Sequence, residues 1–147
     1  MRYRIFLDTN ILISGIFFTG NESKILDLVE IDLVTAEDVI DELHKVVHKK
    51  LKYLTDRTYE IAIQEMNRAV SDIVVLKNKN YQHLISKTER LITHKKDARI
   101  LAAVLAAKPD FFLTGDAHFF TDDVRRVIPV MTAREFLDAI RKGKIPK

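Results

Sequence analysis

The sequence lacks cysteine altogether and contains only four glycines and three prolines. Without cysteine, neither a disulfide framework nor a thiolate zinc site can form, and the chain suits a reducing interior. Because glycine and proline are so scarce, no flexible linker or low-complexity tract divides the 147 residues. We therefore expect one compact domain covering residues 1–147.

Long hydrophobic runs are also lacking. No apolar stretch approaches the ~20 residues that a membrane-spanning helix needs, and the first apolar run, residues 5–7, is interrupted at once by Asp8. We therefore expect a cytoplasmic protein that is neither secreted nor bound to a membrane. The formal net charge of +3 is a mild excess, which helps an encounter with a polyanion without identifying a substrate.

Short apolar runs alternate with longer segments that have the helical period. The predicted strands are residues 5–7, 31–34, 73–76 and 111–113. The predicted helices are residues 11–18, 23–29, 36–54, 56–70, 81–92, 97–107 and 133–142. This alternation predicts a three-layer α/β/α sandwich with a central, mainly parallel sheet, in which ligands bind at the carboxyl ends of the strands.

Three aspartates occupy positions from which a carboxylate reaches that edge of the sheet. Asp8 directly follows the first predicted strand, and Asp116 follows the fourth after only two residues. Asp97 opens a helix and lies on the same stripe as Ile100 and Val104, so its side chain is expected to point inward. Each aspartate taken singly is a common helix cap or turn residue. Together they predict a carboxylate cluster.

A glutamate on the third predicted helix is a fourth candidate. By helical-wheel geometry Glu42 lies about 110° from the centre of the buried stripe, whereas Asp38 and Asp41 lie about 150° away and are expected to face water. Glu37 flanks the other side of the stripe equally well. The pattern by itself does not choose between the two glutamates.

Carboxylates that converge at one edge repel each other unless a cation neutralises them. Oxygen ligands suit Mg²⁺ or Mn²⁺ rather than zinc, and a cation that keeps several waters also binds substrate phosphates. The chemistry indicated is phosphodiester hydrolysis, in which metal ions polarise the phosphate and activate a water, so that no protein nucleophile is needed.

Four segments, in this order, resemble the motifs of PIN domains, the fold of VapC-type toxins: IFLDTNILIS at 5–14, VIDEL at 39–43, KDARILAA at 96–103 and DFFLTGD at 110–116. The resemblance spans most of the chain and implies a metal-dependent endoribonuclease that cleaves RNA. The four catalytic acids that it implies are Asp8, Glu42, Asp97 and Asp116. The metal ligands would be Asp8, Asp97 and Asp116, and hydrogen bonds from Asn10 and Thr114 would support the site.

The chain departs from the pattern of the family at one position. Many relatives carry a further acid two residues beyond the position of Asp116, where this chain has His118. Asp122 and Asp123 are the candidate substitutes, although both also suit a helix cap. The missing acid affects the binding of a second metal ion and not that of the first.

The expected partners are an RNA substrate, an antitoxin protein and further copies of this chain. Lys95 and Lys96 are candidate phosphate contacts because they directly precede Asp97, whereas a solvated helix face is the alternative interpretation. The long segment 77–94 would add a helix over the site or a contact in a homodimer or higher homo-oligomer.

Two other functions fit parts of the pattern. A haloacid-dehalogenase-type phosphatase also has an aspartate after its first strand, but it needs two further aspartates where this chain has Asn10 and Phe120. A non-catalytic PIN-like module that binds RNA or protein would be expected to lose acids, and all four are present. A stand-alone RNA-processing nuclease would have the same sequence pattern as a toxin.

Overall fold

A computed structural model describes residues 2–143, and a five-stranded sheet forms its centre. The strands are β1 (Tyr3–Leu7), β2 (Ile31–Ala36), β3 (Val74–Leu76), β4 (Phe111–Leu113) and β5 (Val130–Met131). They lie in the order β3-β2-β1-β4-β5, and every neighbouring pair is parallel. Helices flank the sheet, so the predicted three-layer α/β/α arrangement with a parallel sheet is confirmed.

The helices connect successive strands, apart from the last, which follows β5. They are α1 (Thr9–Phe17), α2 (Asn21–Leu26), α3 (Glu37–Leu51), α4 (Asp56–Ser71), α5 (Ile85–Thr88), α6 (Lys95–Ala107), α7 (Asp122–Arg125) and α8 (Ala133–Arg141). Helix α6 ends because Lys108 adopts a left-handed conformation, with φ of 51°, and the following Pro109 cannot continue a helix. Within residues 2–143, no helix combines the length and the apolar character needed to cross a membrane.

The central strand β1 is paired on both sides. Ile5 is in register with Leu33 of β2 and with Phe111 of β4. Residues 5–7 and 111–113 are all buried, which explains why their sequences are continuous apolar runs rather than alternating ones. Because β1 and β4 are parallel neighbours, the residues that follow them emerge at the same edge of the sheet.

Two short elements near the C-terminal end of the chain were not predicted. Strand β5 has only two residues and follows Pro129, and α7 is a single turn capped by the Thr121 side chain. Neither element is long enough to show a hydrophobic period. Long-range pairing with β4 forms β5.

The predicted helix over residues 81–92 is wrong. This region forms the 3₁₀ turns Asn78–Asn80 and Gln82–Leu84, followed by the one-turn helix α5. The ring of Tyr81 is fully buried, and its hydroxyl donates a hydrogen bond to Asp38 Oδ1 on α3. This tertiary contact holds the backbone of Tyr81 at φ −133°, which is not helical. Tertiary packing therefore overrides the local helical period here.

Asp38 does not face water as the helical wheel suggested. Its side chain is only 19% exposed, and Arg99 of α6 donates to Asp38 Oδ2 over 2.5 Å. Arg99, Tyr81 and Asn78 all donate hydrogen bonds to this carboxylate, and they hold its pKa below the ordinary value despite its partial burial. Asp38 thus joins α3, α6 and the segment that begins at Asn78.

We predict that Tyr81→Phe lowers the free energy of unfolding by about 2 kcal/mol, because a buried hydrogen bond to a charged acceptor is lost. Tyr59→Phe is the matched control, since the Tyr59 hydroxyl bonds the exposed ring of His48, and it should cost less than about 0.5 kcal/mol. Urea denaturation measures both losses. Equal losses in the two variants would contradict a stabilising role for the Tyr81–Asp38 contact.

Candidate active site

The buried carboxylate of Asp8 lies at the carboxyl end of the central strand β1 and is only 4% exposed. Its Oδ1 accepts a hydrogen bond from the Thr9 backbone N–H at 2.8 Å, and its Oδ2 accepts one from Thr114 Oγ1 at 2.6 Å. Burial raises the pKa of Asp8 to about 6 against the opposing effect of these two bonds, and the nearby charges of Glu42 and Asp116 raise it further. The carboxylate is therefore held in place but poorly neutralised.

The structure distinguishes Glu42 from Glu37, which the helical wheel could not do. Glu42 is half-buried on α3, and its Oε2 accepts a hydrogen bond from Thr9 Oγ1 at 3.1 Å. Glu37 accepts a hydrogen bond from the Asn78 backbone N–H instead, on the side of α3 that holds the segment after β3. Of these two glutamates, only Glu42 lines the cleft that contains Asp8.

Asp97 and Asp116 complete the set of acids. Asp97 lies in the first turn of α6 and is 9% exposed, whereas Asp116 lies three residues after β4 and is partly exposed. Their carboxylates flank the imidazole of His118, with Nδ1 lying 2.8 Å from Asp97 Oδ2 and 3.5 Å from Asp116 Oδ1. The ligand atoms of these three residues all lie within 4.8 Å of one another. Asp8 lines the same cleft but is outside this group.

Asn10 and Thr114 tie the loop after β4 to the start of α1. The side-chain oxygen of Asn10 accepts a hydrogen bond from the Gly115 N–H at 3.1 Å. Thr114 Oγ1 accepts one from the Asp116 N–H at 3.0 Å while it donates to Asp8. The buried hydroxyl of Thr114 therefore fixes the position of Asp116 relative to Asp8.

These side chains surround an open cleft of about 210 Å³. It is lined by Asp8, Thr9, Asn10, Ile13, Glu42, Val46, Asp97, Ile100 and Asp116. A second cleft of about 190 Å³ adjoins the first and is lined by three cationic side chains, those of Lys45, Lys96 and Arg99, and by three acidic ones, those of Asp38, Asp41 and Glu42. Lys95 is exposed beside Lys96 in the first turn of α6. An acidic cleft thus continues into one of mixed charge.

Two features of the structure differ from what the sequence suggested: the place of Asp122 and Asp123, and that of the segment 77–94. Asp122 and Asp123 are exposed in the first turn of α7, where Asp123 pairs with Arg126, and neither lines the acidic cleft. The segment 77–94 contributes no lining residue to that cleft.

The sequence did not predict that His118 lies beside Asp97 and Asp116. The only sign of it in the sequence was a departure from the family pattern, namely a histidine two residues after Asp116.

Comparisons with solved structures show the same fold. The VapBC2 complex of Rickettsia felis, which was solved bound to a DNA fragment from its promoter, matches with a TM-score of 0.63 and 18% identity over 88% of this chain and 98% of that one. A Pyrobaculum aerophilum protein matches with a TM-score of 0.65 and 12% identity over 95% and 90% of the two chains. A toxin–antitoxin complex from Klebsiella pneumoniae gives 0.61 and 16% over 88% and 97%.

No curated protein matches this sequence. The sequence does match the family model of the PIN domain over residues 4–118, a region that contains β1 to β4, all four acids and His118. Since this match covers well over half of the chain, the protein belongs to the PIN domain family.

Proposed function

We propose that this protein is a metal-dependent endoribonuclease that acts as the toxin of a toxin–antitoxin pair. The observation that carries the proposal is the convergence of four carboxylates on one open cleft at the carboxyl edge of the sheet. A structural role explains a single capping aspartate but not four acids around one cleft, two of which contribute to the raised pKa of Asp8.

The acids fit a divalent cation. Burial is the main cause of the raised pKa of Asp8, and the charges of Glu42 and Asp116 add to it, so a cation beside Asp8, Asp97 and Asp116 would stabilise the ionised carboxylate. Carboxylate oxygens are the ligands that Mg²⁺ and Mn²⁺ accept. When bound, such an ion supplies a Lewis acid that polarises the scissile phosphate and increases the acidity of water.

The side chains of the protein supply positioning and proton transfer. Thr9 orients Glu42 through Oε2, and we assign Glu42 Oε1 to hold the attacking water and to accept its proton. Thr114 and Asn10 hold the two strand ends, and therefore Asp8 and Asp116, at a fixed separation. This rigidity aligns water and phosphate before the reaction.

Two lysines beside the acidic cleft support a nucleic-acid substrate. Lys45 and Lys96 line the adjoining cleft with Glu42, whereas Arg99 is paired with Asp38, so a phosphate chain that crosses the acidic site would meet two cations on one side. We assign Lys95 and Lys96 as the phosphate contacts nearest to Asp97. Membership of the PIN domain family favours RNA over other polyanions. The likeness to toxin–antitoxin complexes favours an antitoxin partner, and a small DNA-binding antitoxin encoded in the neighbouring reading frame would support it.

We predict that Asp8→Asn stabilises the metal-free protein above pH 6 while it abolishes RNA cleavage. Because the pKa of Asp8 is about 6 when folded and 3.8 in its ordinary state, the folded protein retains a proton that the unfolded chain releases between these values. The free energy of unfolding of the wild type therefore falls as pH rises from about 4 to 6. Removal of the charge should recover on the order of 3 kcal/mol above that interval.

Thermal unfolding in the presence of a chelator measures this effect. Asp41→Asn is the control, since it makes the same change in net charge at an exposed position of α3, and it should bring no gain. A loss of stability in metal-free Asp8→Asn would mean that Asp8 serves mainly as a cap of α1.

We also predict that Glu42→Gln lowers the metal-dependent cleavage rate by at least ~10-fold, about 1.4 kcal/mol of transition-state stabilisation. An amide cannot accept the proton of the attacking water. Glu37→Gln should remain near the wild-type rate, because Glu37 bonds Asn78 outside the cleft. Single-turnover cleavage of a labelled RNA at saturating metal measures both rates, with a DNA of the same sequence as the substrate control.

Three results would contradict the proposed function. Wild-type protein that binds RNA without cleaving it would be a non-catalytic binding module. Equal rates for the two glutamine variants would remove Glu42 from the reaction. Faster cleavage of DNA than of RNA would overturn the assigned substrate class.

A further inference from the structure

We infer that the ion proposed above binds to Asp97, Asp116 and His118 in a mixed oxygen–nitrogen site beside Asp8, in which His118 is a direct ligand and favours a divalent transition-metal ion over Mg²⁺. The inference deepens the proposed metal-dependent function and rests on it for its context, but it concerns metal binding and can be tested without RNA. An acid at this position would complete a set of oxygen ligands. The imidazole of His118 changes the chemistry of that set.

The three side chains are already spaced like ligands of one ion. With metal–ligand bonds of ~2.1 Å, neighbouring ligand atoms of an octahedral ion lie about 3 Å apart and opposite ones about 4.2 Å apart. His118 Nδ1 lies 2.8 Å from Asp97 Oδ2 and 3.5 Å from Asp116 Oδ1, and all three ligand atoms lie within 4.8 Å of one another. An ion therefore requires only small movements of these side chains.

Three contacts fix the imidazole in this orientation. The 3₁₀ turn Ala117–Phe119 begins at Asp116, whose Oδ1 accepts a hydrogen bond from the His118 backbone N–H at 2.9 Å. Phe119 is fully buried and packs against Phe112 of β4, which anchors the turn to the sheet. The ring of His94, just before α6, stacks on the ring of His118 with centroids 4.4 Å apart. Although the side chain of His118 is 51% exposed, its ring is held on one side by the turn after β4 and on the other by His94, just before α6.

The chemistry of the donors determines which ion is preferred. Mg²⁺ prefers oxygen ligands and gives up its waters reluctantly, so a fixed imidazole nitrogen contributes little to its binding. Divalent transition metals accept imidazole readily. The His118 ligand therefore discriminates between ions that carboxylates alone bind similarly.

Electron spin-echo spectroscopy of the protein with one Mn²⁺ per chain tests direct ligation, because a coordinated imidazole produces a ¹⁴N coupling. We expect this coupling in the wild type and in His94→Phe, which keeps the stacked ring but removes its nitrogens. We expect it to disappear in His118→Asp and in His118→Asn. Since His118 is half-exposed, these substitutions leave the buried core intact, and circular dichroism checks that they do.

Calorimetric titration with Mn²⁺ and Mg²⁺ measures the preference. In His118→Asp the ratio of the Mg²⁺ to the Mn²⁺ dissociation constant should fall by about 10-fold, whereas in His94→Phe it should stay near the wild-type ratio. The inference is overturned if the wild type shows no ¹⁴N coupling, if the coupling persists in His118→Asp, or if the ratio is unchanged. Cleavage of RNA by a protein without the coupling would leave the proposed function standing, and the coupling in a protein that never cleaves RNA would overturn only that function.

Discussion

The burial of one carboxylate, that of Asp8 at the end of the central strand, is the constraint on which the site depends. Hydrogen bonds from the Thr9 backbone and the Thr114 hydroxyl hold it, but they do not cancel the cost of removing its charge from water, and its pKa rises to about 6. The same two threonines contact Glu42 and Asp116. One buried acid thus sets the positions of two others, and the fold accepts an electrostatic cost that the proposed cation would offset.

Packing of the core holds the acids in place despite this electrostatic cost. Strands β1 and β4 are buried on both faces and paired in parallel, so their carboxyl ends cannot separate without breaking the sheet. On α3, Asp38 anchors Arg99 and Tyr81 and so fixes the helix that carries Glu42 against the helix that carries Asp97. The acidic cleft is therefore rigid on both sides. In the adjoining cleft Lys45 and Lys96 place cations beside the acidic cleft, which would suit a phosphate chain that approaches the proposed metal site.

Much of this arrangement could be predicted from the sequence, because it depends on local patterns. Continuous apolar runs indicated the two central strands, and parallel pairing then placed Asp8 and Asp116 at one edge. The remainder depends on contacts between distant residues. The helical period over residues 81–92 failed because Tyr81 turns inward to reach Asp38, 43 residues away. The choice between Glu37 and Glu42 needed the position of Thr9, and the role of His118 needed the closeness of α6 to the turn after β4.

The central claim is that the fold buries Asp8 beside other carboxylates and that the proposed cation would offset the cost of its charge. Carboxyl ¹³C nuclear magnetic resonance, with the Asp8 signal assigned by its loss in Asp8→Asn, measures the pKa of this group directly. We predict a pKa of about 6 in the metal-free protein and a decrease below the ordinary value of 3.8 when Mg²⁺ saturates the site. An ordinary pKa that stays the same with and without Mg²⁺ would contradict the account.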